Sequence, residues 1–63
     1  MVRLITAPNI DAPDDVYALL VDLHAGLDDR RSAITSAKLV LLFANHIGDV
    51  AIIREAVEAA RRN

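Results

Sequence analysis

Two histidines, nine carboxylates and seven cationic side chains are the reactive inventory of this 63-residue chain. His46 has the most chemistry within reach. Asn45 precedes it, Asp49 follows three residues later, and together they close the run Lys38-Leu-Val-Leu-Leu-Phe-Ala-Asn-His-Ile-Gly-Asp49. If Asp11, Asp14 and Asp15 are brought to the same place, one imidazole and several carboxylates could hold a divalent cation, or the imidazole could shuttle a proton. Against this, each of those aspartates has an ordinary explanation as a helix cap or first-turn residue. The chain also lacks a close-spaced ligand pair of the H-E-x-x-H kind. The plainer reading of His46 is a histidine at a helix C-terminus, where the dipole favours it.

A second set, Arg30, Arg31, Arg61 and Arg62, could grip a carboxylate, a phosphate or an acidic partner surface. Asp28, Asp29 and Glu58 are near enough in sequence to neutralise much of it. Arg61 and Arg62 suit the end of a helix, whereas Arg30 and Arg31 near a helix start oppose its dipole and need a partner or solvent. No nucleotide fingerprint, phosphate-cradling glycine loop or Ser/His/Asp order is present. No set of residues supplies a nucleophile, a base and an oxyanion site together, so the expectation is a non-catalytic protein with no cofactor.

Three helices must position these residues, giving an all-α fold: a single helical domain over 1–63, a small three-helix hairpin or bundle behind a short extended N-terminal arm. Asp11-Ala-Pro-Asp-Asp15 reads as a helix start, with proline in the first turn and carboxylates at the positive end. The first helix is expected over about 13–25, its face Val16, Leu19, Leu20, Leu23 and Leu27 buried and Gly26 stopping it. Asp28 or Asp29 caps a second helix over 29–47, ended by Gly48. Asp49 starts a third, 49–61, with Val50, Ile52, Ile53, Ala56, Val57 and Ala60 on one arc. Arg54, Glu55, Glu58 and Arg62 take the other, with Glu58 and Arg62 in a favourable i, i+4 order. The short connections make consecutive helices antiparallel neighbours. The arm, residues 1–10, carries Val2, Leu4 and Ile5 and breaks at Ala7-Pro8-Asn9; it either lies across the bundle or reaches a partner.

A chain this short buries only about 60% of its unfolded surface and is marginal alone. Counting Ala, Val, Ile, Leu, Met, Phe and Gly, 35 of the 63 residues are apolar, above the 45–50% typical of globular domains. Eleven are alanines, which serve helix formation as much as burial, so the excess hints at oligomerisation and no more. The absence of cysteine excludes disulfides and thiolate metal sites. The longest apolar run, Leu39–Ala44, is far short of a bilayer span, and no leader pattern opens the chain, which reads as a cytoplasmic protein without membrane contact. A net charge of −2 with mixed signs argues against nucleic acid. A helix-turn-helix reader fails on the same ground, because Asp49, Glu55 and Glu58 on its recognition helix would face phosphates.

The second helix is apolar on two sides. Ala33, Ile34, Ala37, Val40, Leu41, Ala44 and Ile47 form a broad stripe wide enough for one neighbour; Thr35, Leu39, Leu42 and His46 form a second line. Either the other two helices clothe both sides, or one side is a subunit interface. On the first helix Tyr17, Val21 and His24 continue sideways from the leucines, as core border or as contact surface. The candidate interaction residues are therefore Tyr17, Val21, His24, Leu39, Leu42, Asn45 and His46.

Ala7-Pro8-Asn9, Asp11-Ala-Pro-Asp-Asp15 with Tyr17, and the run Lys38–Asp49 with its Leu-Leu-x-Ala-Asn-His-Ile-Gly-Asp segment together resemble a family of short bacterial proteins of unknown function, the DUF2783 family. The likeness covers nearly the whole chain, and Phe43 stands where an aliphatic residue is expected. It implies a small accessory protein associated with flavin-dependent aromatic-degradation enzymes and supplies no catalytic residues. The leading expectation is thus a helical interaction protein that oligomerises or docks on a larger enzyme. The other is a small metal- or ligand-binding protein using His46 and the nearby aspartates.

Overall fold

The computed structural model describes residues 3–62; Met1, Val2 and Asn63, and with them the start of the expected arm, lie outside the described residues. The chain is all-helical, with α1 (Pro13–Leu23), α2 (Asp29–Ile47) and α3 (Val50–Arg61) in order. No strand occurs among the described residues.

Local chemistry sets these limits. Pro13 opens α1 with Asp14 and Asp15 in its first turn, where a missing N–H costs nothing and negative charge meets the dipole. Ala12 is the N-cap and no side chain caps the helix, so the capping role expected in this acidic stretch does not fall to Asp11. The helix stops at Leu23, two residues short of expectation. The His24 N–H donates to the Val21 carbonyl, Ala25 to Asp22 and Leu27 to His24. That three-residue spacing tightens the chain into successive turns before Gly26 at φ 75°.

α2 is better framed. The Asp28 carboxylate accepts from the Arg31 N–H at 2.8 Å, and Gly48, left-handed at φ 69°, closes the other end by donating to the Ala44 carbonyl. Asp49 caps α3 at once, its Oδ1 accepting from Ala51 at 2.9 Å and Ile52 at 3.3 Å.

Packing is the surprise. No described residue is fully buried, because the helices splay. α2 and α3 make the substantial helix–helix contact, and α1 touches the rest more lightly. The expected buried face of α1 holds only in part: Val16, Leu23 and Leu27 are half-buried, but Leu19 is 70% exposed and Leu20 is exposed as well. The molecule measures 41 × 26 × 25 Å with a radius of gyration of 13.3 Å, against about 11 Å for a compact chain of this length. Its accessible surface is 5886 Å², whereas a compact folded monomer of its mass exposes roughly 4,000 Å².

Candidate docking face

Neither apolar side of α2 is fully covered by the rest of the chain. The second line is covered only over its first half: Thr35 and Leu39 are half-buried, as are the neighbouring Ser32 and Ser36, whereas Leu42 and His46 are exposed; His24 Nε2 stands 3.5 Å from Ser36 Oγ. The broad stripe receives α3 only along its C-terminal part and is otherwise open. Ile34, Ala37, Val40, Leu41 and Ile47 are all exposed, Leu41 at 69% and Val40 at 63%. Only Ala44 in that stripe is half-buried.

Where α2 meets α3, the bare side deepens into a groove of about 290 Å³ lined by Val40, Phe43, Ala44 and Ile47 from one helix and Ile53, Ala56, Val57 and Ala60 from the other. Every lining side chain is apolar. It is an open trough, and nothing in it can donate, accept or transfer a proton.

The arm lies on the opposite flank of α3. Arg3 places its guanidinium on Glu55 Oε1, Nη2 at 3.0 Å and Nε at 3.3 Å, and the Leu4 N–H points at Oε2 from 3.4 Å. Of the two courses expected for the arm, the chain takes the one across its own helix. Glu55 was expected on the wet side of α3 and is instead half-buried beneath the arm. The Arg3 hydrogen bond, reinforced by the Leu4 N–H and opposed by partial desolvation, holds its carboxyl below the ordinary value of 4.5. Arg3–Glu55 is the one ion pair among the described residues; Glu58 and Arg62, in register for another, flank a polar hollow beside Leu4 and Thr6.

The expected interaction residues scatter over this frame. Tyr17 and Val21 lie exposed on α1, Leu42, Asn45 and His46 are exposed on α2, His24 turns toward Ser36, and Leu39 is partly covered by the chain itself. The trough residues Phe43, Ile53 and Val57 were not among them. Ile53 and Val57 lay on the apolar arc of the third helix, whereas Phe43 fell on neither stripe of the second. As for a metal centre, no group of three or more His, Asp or Glu side chains among the described residues could hold an ion, so Asp11, Asp14 and Asp15 do not form a ligand set with His46 and Asp49. Among the described residues no helix is long and apolar enough to cross a membrane.

The fold and its trough define a class: a small, open, all-helical protein whose apolar surface is only partly covered by its own chain. The family model described as protein of unknown function (DUF2783) matches residues 4–62, and the chain belongs to that family. No curated protein and no solved structure matches it significantly.

Proposed function

We propose that this protein is a non-catalytic helical interaction module whose fold is completed by association with a second copy of itself through the bare side of α2 and the adjoining α2/α3 trough. The observation that carries the reading is surface. An unfolded chain of 6.9 kDa exposes roughly 10,000 Å², so folding to 5886 Å² removes only about 40%, where about 60% is usual for such small domains. The excess over a compact monomer is about 1,900 Å² per chain. Obligate homodimers bury about 2,000–5,000 Å² in total, or 1,000–2,500 Å² from each partner, so one further copy is enough to absorb the excess.

Composition of the face supports the same occupant. A trough of Val, Phe, Ile and Ala resembles half of a helical core more than a site for a charged ligand, and obligate interfaces are the apolar ones. Docking on a larger enzyme, implied by the gene associations of the family, would use the same face.

Light scattering on the purified chain between ~1 μM and ~1 mM, with thermal melting at both ends of the range, tests this. A dimer mass that Leu41→Asp converts to monomer supports it. A monomer throughout, with a melting temperature independent of concentration, rejects it.

A further inference from the structure

The proposed self-association rests on an exposed face. One exposed arc of α2, turned away from the trough residues Phe43 and Ile47 so that the trough flanks it, also specifies how two copies would meet. At 100° per residue Arg30, Ile34, Ala37, Leu41 and Asn45 fall within about 80° of the α2 surface, and all five are exposed. Their order along the helix is cation, aliphatic, small, aliphatic, amide. We infer that two copies pair through α2 as an antiparallel, two-fold-symmetric contact in which Ile34 of each meets Leu41 of the other and Arg30 of each meets Asn45 of the other.

The register is fixed by the spacing. In an antiparallel pair, residues that face one another have positions with a constant sum; Ile34 with Leu41 and Arg30 with Asn45 give the same sum, so both contacts form in one alignment. Ala37 then lies beside the symmetry axis, where a small side chain lets two helix axes approach to about 8–10 Å. A self-complementary patch of this kind is what an isologous interface requires.

Charge gives a second argument. Arg30 sits in the first turn of α2, where its charge opposes the positive end of its own helix. Antiparallel pairing carries it to the opposite end of the second copy's α2, where the carbonyls of the last turn lack intrahelical partners and the dipole is negative. The Asn45 side-chain carbonyl adds an acceptor there. The like-charged neighbours near the axis are Lys38 and its copy, at the edge of the arc, and their stems are long enough to carry the ammonium groups into water.

The chain has no native cysteine, so single-cysteine variants of the full chain report the geometry directly. Under mild oxidation Ala37→Cys should form a disulfide-linked dimer nearly to completion, while Leu19→Cys on α1 should not. Arg30→Glu should weaken association by about tenfold or more, and adding Asn45→Lys should restore most of the loss by an opposite charge pair. Circular dichroism on each variant separates unfolding from lost association. A dimer whose Ala37→Cys form does not cross-link, with no rescue by the double variant, overturns this pairing and leaves self-association standing. A monomer at all concentrations overturns both.

Discussion

Glu55 holds Arg3 across fifty-two positions of sequence, the guanidinium on one carboxylate oxygen and the neighbouring Leu4 N–H on the other. This contact decides where the arm goes. It also carries a pH dependence, because the carboxyl lies below its ordinary value of 4.5 in the folded chain. A lowered carboxylate contributes its stabilisation in full above that ordinary range and loses it as pH falls through the folded value. Amide exchange at Leu4 should therefore be slowed at pH 7 relative to an Arg3→Ala variant, and the difference should shrink as acidification protonates Glu55. Equal protection of the two chains at pH 7 would show that the ion pair, which is largely exposed, does not tether the arm.

Asp49 satisfies two N–H groups of α3 while Gly48 closes α2 immediately before it. Asp49→Ala should cost about 1 kcal/mol of unfolding free energy, the usual loss for a cap. Gly48→Ala should cost a similar ~1 kcal/mol for backbone reasons, since the added Cβ meets nothing closer than the Asn45 carbonyl oxygen at 3.7 Å and φ is 69°. Urea titrations give both, and Gly48→Asn should recover part of the loss because Asn tolerates the left-handed region.

Ile53 lines the trough and is half-buried. In a closed core Ile→Ala costs about 2–5 kcal/mol, much of it for the cavity left behind. Here the space is already open, so in dilute solution, below ~1 μM, Ile53→Ala should cost about 1 kcal/mol, the transfer of a few half-exposed methyl groups. A loss above ~3 kcal/mol measured there would mean that the trough is already filled, by a second chain or by closure of the helices.

His46 is exposed near the end of α2, and no ligand set surrounds it among the described residues. His46→Ala should shift stability by no more than ~0.5 kcal/mol, the ordinary range for a surface substitution. Zn²⁺ or Mn²⁺ titrated into the protein should raise the melting temperature of neither chain. A rise in the parent that His46→Ala abolishes would establish an ion site there.

Much of this protein is written locally. Pro13 with Asp14 and Asp15, Asp28, Gly48 and Asp49 mark the helices because caps and breakers act on neighbouring backbone groups, which a linear reading contains in full. The early end of α1 at Leu23 escaped because the turns after it depend on the carbonyls of Val21, Asp22 and His24, with no residue type that announces them. Family membership was legible for the same reason, since the run Lys38–Asp49 is contiguous. What only the tertiary structure decided is which apolar arc each helix covers. Periodicity defines a stripe without naming its neighbour, and α2 has two; the chain set α3 against the end of the broad one, covered only Thr35 and Leu39 of the other, left Leu41 and Leu42 exposed, and drew Glu55 under the arm. Those choices depend on contacts between residues far apart in sequence and on how little chain there is to cover two faces. The candidate docking face therefore emerged from the fold, although every residue in it had been visible in the sequence as apolar.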